Sequence, residues 1–473
     1  MMHLRLIATG SMRSLSIGIK ICFKVKSVAR PSPIVSAIMG GGLLQLVAYG
    51  AQDVYLTGNP QITYFKISYR RHTNFAMENI ECEFNGNVGY GQRVTCILPR
   101  NGDLIGRTYI KVVIPKVQHP NVYVQGFPIY TGYNIIKKVS IEIGGQEIDR
   151  QYSEWMYIWN ELTTPEGKVA GLSQMVGTSI QGYNRIPGSE YGDLGDVVLY
   201  LPLNFWFCRN PGLMLPLIAL QYHEVKIHVD FVDSSSKIYT LQNSGYFQLN
   251  NSDYSQVFKA SLLVDYVFLD SDERRRFAQL SHEYLIEQVQ THGPVQISTQ
   301  SENTYNLSLT FNHPVKELLW VFTAGPNMFE KFGYIGSTDI PEIINVRILK
   351  SAVLKLNGHD RFAERDGDYF EKVQLYQHHT NADGIGLTKI LARNEILYYV
   401  KKFIGAYSFA LHPEEFQVSG TLNFSRIDSA QLVIRTNNLT SDGLANLYTF
   451  NLFAHSYNVL RIMSGMGGLA YSN

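Results

Sequence analysis

Charge of either sign is nearly balanced in this sequence: 473 residues carry 41 basic and 40 acidic side chains, a formal net charge of +1. A protein that coats polyphosphate normally has a clear basic excess, so direct nucleic-acid binding is not expected. Cysteine is scarce. Cys22, Cys82, Cys96 and Cys208 lack the close pairing of a zinc site or a disulfide framework, and they read as free, buried thiols of a protein made in a reducing compartment. Apolar runs are short, none reaching the roughly 18 residues that a bilayer-spanning helix needs, so no transmembrane segment is expected. Acidic residues are missing ahead of Asp53, while Arg5, Arg13, Lys20, Lys24, Lys26 and Arg30 all fall within residues 1–38. That composition resembles a transit peptide. The preferred reading is that Met39 is the true start, because Met39-Gly40-Gly41 opens directly into well-patterned sequence, and residues 1–38 are set aside from the fold.

The usual signatures of catalysis are also missing: Gly-Lys-Ser/Thr phosphate loops, His-Glu-x-x-His and Gly-x-Ser-x-Gly do not occur. His378-His379 could ligate a metal, but adjacent residues of an expected strand point to opposite faces. Asp366-Gly367-Asp368 lacks the spaced oxygens and terminal Glu of a calcium loop and reads as turn chemistry. His223-Glu224 is the most enzyme-like spot, yet glycoside hydrolysis needs a second carboxyl and the sequence ties none to it. The expectation is a protein with no catalytic, cofactor-binding or metal-binding residues. Sequons occur at Asn250, Asn306, Asn423 and Asn438. Asn306 and Asn423 fall at or inside expected strands, which leaves Asn250 and Asn438, in expected loops, as the glycosylation candidates.

What is present points to β-structure. Apolar residues make up 45% of the chain and aromatics 12%, with 30 tyrosines, which favours folded sheets over disorder. One strand-turn unit occurs twice. Val139, Ile141 and Ile143 alternate with Ser140 and Glu142 before Gly144-Gly145, and Leu354 and Leu356 flank Lys355 before Asn357-Gly358. Alternation of period two buries one face, and the Gly-Gly and Asn-Gly pairs supply the positive φ of a tight hairpin. Gly145 and Gly358 lie 213 residues apart. Asn101-Gly102 is echoed by Asn312-His313 at an offset of 211, and Pro211-Gly212 by Ser419-Gly420 at 208. Three landmarks in the same order at nearly one spacing argue for duplication of a whole domain of roughly 200 residues.

Further strands are expected over Ile80–Phe84, Val94–Leu98, Tyr109–Ile114, Val197–Phe207, Val225–Phe231 and Leu262–Leu269, with a helical piece at Glu154–Leu162 and a Gly-rich excursion over Gly167–Gly195. Asp270–Gln279 reads as a short connecting helix, with Asp270 as N-cap and Glu273 as its capping-box partner. A second run of strands follows from Tyr284 to Ala454. The expected organisation is an extension over 1–38, an arm over 39–62, a first β-domain over 63–270, a helical linker over 271–282 and a second β-domain over 283–473.

Several long words then carry a family likeness. GGLLQLVAYGAQDVYLTGNPQITYFKISYRRHTNF (Gly41–Phe75), PGLMLPLIALQYHEVK (Pro211–Lys226), RRFAQLSHEYLIEQ (Arg275–Gln288), NFSRIDSAQL (Asn423–Leu432) and YNVLRIMSGMGGLAY (Tyr457–Tyr471) resemble the major capsid proteins of large icosahedral double-stranded DNA viruses, the chlorovirus type in particular. The resemblance spans essentially Met39–Asn473, and the loops at 167–195 and 371–402 depart from the family pattern. It implies an all-β double jelly roll, two eight-stranded antiparallel sandwiches in tandem with short helices in the loops and linker. It also implies a homotrimer whose six barrels form a pseudo-hexameric capsomer, neighbouring capsomers and minor capsid proteins as partners, and a place in the virion shell after assembly in the host cytoplasm. Family glycans can lie outside sequons. Jelly rolls also serve lectins and sugar enzymes, so a glycan-binding protein is the alternative of a different class, and a minor capsid relative is a third reading.

Overall fold

In the computed structural model of the chain, the described residues are 46, 48, 50–67, 69–114, 124–126, 130–177, 196–233, 239–242, 245–248, 258–324, 334–336, 347–381, 387–391, 397–401, 403–439 and 447–471. Residues 1–38, Cys22 and Asn250 lie outside them. The chain divides into two compact units, Met1–Thr73 and Asn74–Asn473. In the first, one helical turn, α1 (Val54–Thr57), is closed by the Gly58 amide donating to the Val54 carbonyl at 2.8 Å. Tyr55, Leu56, Tyr64, Phe65, Ile67 and Tyr69 of that unit are exposed.

The second unit opens with eight principal strands: β1 (Phe75–Glu83), β2 (Arg93–Ile97), β3 (Leu104–Ile114), β4 (Ile136–Ile143), β5 (Gln146–Tyr152), β6 (Val197–Pro202), β7 (Val225–Phe231) and β8 (Lys259–Leu269). They pair as one long antiparallel hairpin rolled up on itself, β1 with β8, β2 with β7, β3 with β6 and β4 with β5. The roll produces two facing sheets, ordered β1-β8-β3-β6 and β2-β7-β4-β5. This is a jelly roll.

The second half repeats it. Strands β9 (His282–Ser298), β10 (Thr304–Leu309), β11 (Pro314–Ala324), β12 (Leu349–Leu356), β13 (His359–Asp360), β14 (Arg365–Asp366), β15 (Ile404–Ser408), β16 (Ala430–Thr436) and β17 (Leu447–Met463) form sheets ordered β9-β17-β11-β15 and β10-β16-β12-β13, with β14 also on β12. A last strand, β18 (Met466–Leu469), folds back on β17. The three repeated landmarks fall at equivalent places. Gly144-Gly145 joins β4 to β5 and Asn357-Gly358 joins β12 to β13, with φ of 58° and 88° in one turn and 51° and 80° in the other, as a two-residue type I′ hairpin requires. Asn101-Gly102 and Asn312-His313 each lie between the second and third strands of a sandwich, and Pro211-Gly212 and Ser419-Gly420 each precede the penultimate strand. Smaller three-stranded sheets are formed by Val124–Gly126, Tyr239–Gln242 and Gly245–Gln248, and by Tyr334–Gly336, Leu387–Leu391 and Leu397–Lys401.

Period two is visible in the burial. Val139, Ile141 and Ile143 are fully buried, as are Val225, Ile227 and Val229 opposite them, to within 2%. Each such side chain contributes about 1.5–3 kcal/mol by leaving water. Trp320, Phe322, Leu354, Phe370, Leu432 and Phe450 fill the second sandwich.

Two sequence expectations are corrected. The strand expected over Val197–Phe207 stops at Pro202, and Trp206–Arg209 is a helical turn, α4, with two longer helices ahead of it. The Leu203 amide still donates to the Thr108 carbonyl at 3.0 Å, and the chain then turns away from β3 into α4. Those helices are α2 (Ser153–Thr163), as expected, and α3 (Glu166–Val176), which occupies the start of the supposed Gly-rich excursion. The spacing of Val169, Leu172 and Val176 suits a helix face, and Gly177, at φ 83°, caps it with its amide on the Ser173 carbonyl. The linker helix α5 (Ser271–Gln279) forms as expected, the Asp270 side chain accepting from the Glu273 amide at 2.9 Å. The return bond from Glu273 that a full capping box would have is not among the described contacts.

Candidate functional site: a buried charged seam between the two sandwiches

The outer face of the sheet β9-β17-β11-β15 is covered over β17, β11 and β15, while Thr291, opposite Phe453 on the β9 edge, is exposed. Leu319, Val321, Ile404, Ala406 and Phe453 on it pack into the same apolar cluster as the core of the first sandwich, and Leu460 and Ile462, farther along β17, join that cluster. Helix α2 supplies the centre of that contact. Trp155 stacks on Trp159 at 5.5 Å and lies 5.8 Å from Phe453 and 5.5 Å from His455, while Trp159 meets His455 edge-on at 4.9 Å. The helix follows β5 directly, so the turn that ends β4 also aims these rings across the seam.

Within this apolar contact sits a line of charge. Glu414 accepts from His379 Nδ1 at 2.9 Å, and His379 Nε2 is 3.3 Å from Glu317. His455 Nδ1 is 3.1 Å from Glu317 on one side, and its Nε2 is 3.4 Å from Glu287 on the other. Arg209 at 2.5 Å, and Lys316 at shorter range, complete the set around Glu287. Both histidines therefore face a carboxylate from each ring nitrogen. Burial alone would raise the carboxyl of Glu317, but His379 and then His455 hold it well below its usual range. Glu287 is lowered in the same way, by Arg209, His455 and Lys316 acting against burial. Burial also opposes the charge on His379, and Glu317 and Glu414 overcome it, lifting the imidazole from 6.5 to about 9. The Lys316 ammonium is lowered because burial outweighs Glu287. Paired in this way, buried charges avoid the several kcal/mol that each would cost alone.

Two side-chain to backbone links tie the sandwiches directly. Asp149 on β5 accepts from the Val289 amide on β9 at 3.1 Å, and Gln288 donates to the Ile148 carbonyl. Burial pushes the Asp149 carboxyl up to about 6. A clasp closes the other end of the contact: the β17-β18 hairpin lays Gly465 on Tyr222, whose amide donates to the Gly465 carbonyl at 3.0 Å, and the Gly467 amide lies 3.1 Å from His223 Nδ1.

The structure redistributes the residues that the sequence singled out. His378 and His379 end the helix α6 (Gln374–His378) and are not on a strand. His379 is buried in the seam and His378 is half-buried, 3.2 Å from the Leu411 carbonyl. His223 belongs to the clasp, and Glu224 is exposed and pairs with Lys226 at 3.4 Å, so the two do not form an acid pair. Asp368 holds Arg347 and Lys372 at 2.8 and 3.1 Å. Asn438 is exposed just after β16, Asn306 is exposed on β10, and the Asn423 side chain accepts from the Ser425 amide. Cys82 and Cys96 are buried free thiols as expected, but Cys208 is only partly buried. Among the described residues no group of three His, Cys, Asp or Glu side chains could hold a metal ion, and no helix is long and apolar enough to cross a membrane. A pocket beside α2 and α3 is lined by Tyr130, Tyr133, Asn160, Glu161 and Asn381 among others, with Glu161 its single acid. Sequence reasoning missed Glu287, Lys316, Glu317, Glu414 and His455. For Glu287, Lys316, Glu317 and His455 the one signal is a charged or ionisable residue inside a strand; Glu414 lies in a turn and carries no such signal.

Two rolled sandwiches of identical strand order, sealed to each other through one buried sheet face, define the class: a double jelly roll. Residues 63–270 match the family described as the major capsid protein N-terminus, and residues 273–388 and 401–468 match the large eukaryotic DNA virus major capsid protein family. The major capsid protein of Pyramimonas orientalis virus is 47% identical over 441 residues, covering 92% of this chain and 100% of the relative. That of Paramecium bursaria Chlorella virus 1 is 39% identical over 478 residues, with the same coverage of 92% and 100%. In the solved quasi-atomic structure of the latter virus's capsid, a chain 35% identical superposes with a TM-score of 0.68, covering 87% of this chain and 100% of that one. The chain belongs to the family of major capsid proteins of large eukaryotic DNA viruses.

Proposed function

We propose that this chain is the structural building block of an icosahedral virus shell, working as a homotrimer and catalysing no reaction. The observation that carries the reading is the duplication itself. Two sandwiches with one strand order, β1-β8-β3-β6 beside β2-β7-β4-β5 and then the same again, give three chains six similar barrels, and six barrels make a pseudo-hexagonal block that tiles a lattice. Membership in a capsid protein family supports the same reading. On it, the first sandwich spans 63–270, the linker 271–282 and the second sandwich 283–473, behind an arm at 39–62. Neighbouring blocks and minor capsid proteins beneath the shell are its partners. The near-neutral charge suits a shell that does not touch the genome. Assembly takes place in the host cytoplasm, and Asn250 and Asn438 are the candidate glycan sites.

Light scattering coupled to gel filtration tests this directly. The expected mass is three times the 53.6 kDa chain at micromolar concentration. A one-chain mass across the concentration range refutes the trimer.

A further inference from the structure

Strands β1 and β2 follow one another in the chain but belong to different sheets, β1 at the edge of β1-β8-β3-β6 and β2 at the edge of β2-β7-β4-β5. Among the described residues the backbone joins these two edges at one place. There the Asn85 amide donates to the Thr95 carbonyl at 2.7 Å and the Thr95 amide to the Asn85 carbonyl at 3.3 Å. Past that bridge only side chains close the edge of the sandwich. Two of them are thiols: Cys82, the last core-facing residue of β1, and Cys96 on β2, which sit in the same apolar cluster.

The two cysteines are unequal. Cys82 is 6% exposed near the end of an edge strand, and Cys96 is 0% exposed. They hydrogen-bond to each other, and that bond is the largest influence on both. It holds the Cys82 thiol down from 9.0 to about 7, against burial and with help from Tyr266, while Cys82 and then burial push the Cys96 thiol up. The sulfur nearer to solvent therefore carries the thiolate, the nucleophilic form. Cys96 needs no access to solvent, because its one reaction partner is already beside it. Cys208, by contrast, is pushed up to about 12 by burial.

We infer that Cys82 and Cys96 are an oxidisable pair that closes into a disulfide on meeting a hydroperoxide, stapling the two facing sheets of the first sandwich along their open edge. The Cys82 thiolate attacks one peroxide oxygen, forming an S–O bond and breaking the O–O bond. Sulfur is oxidised to the sulfenic acid, peroxide oxygen is reduced, and the departing hydroxide takes up the proton that Cys82 gave on ionising. Cys96 Sγ then attacks Cys82 Sγ, forming the S–S bond and breaking S–O, and the second hydroxide leaves as water with the Cys96 proton. Two thiols and one hydrogen peroxide give one disulfide and two waters. The chain made in a reducing compartment holds both thiols free, and the staple forms only after it leaves. This chemistry belongs to the single chain and does not depend on the trimer reading above.

The test treats the reduced full-length protein with hydrogen peroxide, blocks the remaining thiols with iodoacetamide in denaturant, and maps tryptic peptides by mass. Arg93 lies between the two cysteines, so trypsin places Cys82 on peptide 72–93 and Cys96 on peptide 94–100. The expected result is these two peptides joined, with a mass 2 Da below their sum, and Cys208 alkylated. The thermal midpoint of the oxidised protein should rise by about 4–7 °C, the scale for closing a loop of about 15 residues, and return on adding dithiothreitol. Cys96→Ser removes the resolving sulfur, so dimedone should capture Cys82 as its sulfenic acid, a signal that a folding defect alone does not produce. Cys82 and Cys96 both alkylated after peroxide treatment would overturn the inference, as would a link from either of them to Cys22 or Cys208. A joined pair with an unchanged midpoint overturns the stapling role.

Discussion

Replacing Glu317 by Gln keeps the shape of the side chain and removes the charge that two buried imidazoles share. His379, whose side chain is 0% exposed, is held up from 6.5 to about 9 chiefly by Glu317 and secondarily by Glu414. A histidine raised on folding contributes stability that is fully present below its unfolded value near 6.5 and is lost as pH rises through about 9. Taking 1.36 kcal/mol per pH unit of difference, its contribution is about 2.5 kcal/mol at pH 7 and nearly nothing at pH 10. The Glu317→Gln variant should therefore be less stable at pH 7 by about 3–5 kcal/mol, the range for breaking one side of a buried pair. It should also lose about half of the alkaline slope, since Glu414 still holds Nδ1. Guanidinium denaturation at fixed protein concentration, followed by tryptophan fluorescence at pH 7, 8, 9 and 10, reads both quantities, because Trp155 and Trp159 lie against the network. An unaltered protein whose midpoint is flat from pH 7 to pH 10, or a variant with the full slope, would refute the claim that these carboxylates hold His379 charged.

Three further outcomes are expected. Trp155→Ala should cost about 3–5 kcal/mol, because the ring is 1% exposed between Trp159 and Phe453; a loss below 1 kcal/mol in the same denaturation assay would mean that the seam can collapse around the gap. A Cβ at Gly467 would stand 2.7 Å from Leu220 and 3.3 Å from Ile143, so Gly467→Val should cost about 1–3 kcal/mol and unlatch the clasp, detectable as faster chymotryptic trimming at Tyr471. Asp270→Ala removes the acceptor for the Glu273 amide and should lower the thermal midpoint by the equivalent of about 1 kcal/mol, with no change in oligomeric mass.

Much of the scaffold could be read before any coordinates. Val139, Ile141 and Ile143 announce a strand through local alternation, and Gly144-Gly145 and Asn357-Gly358 announce their hairpins because few other residues accept positive φ at two successive positions. The recurrence of these signals at one spacing is enough to find the duplication. Where local signals compete, reading fails: a strand that hydropathy would extend to Phe207 stops at Pro202 and gives way to a helical turn, and Val169, Leu172 and Val176 make a helix in a segment whose glycines suggest a loop.

By itself, then, the sequence determined most strands and turns, which depend on neighbours within a few residues, and the number of sandwiches, which shows as the recurrence of those local signals at one spacing. Only the tertiary structure decided which sheet face is covered and which charges are buried. Glu317, placed among polar and apolar neighbours on β11, would point to water in a lone sandwich. It is buried between His379 and His455, and His455 is itself packed against Trp155 and Trp159, more than 150 residues earlier than Glu317. Burial at that range is a property of the packed chain, and no local pattern encodes it.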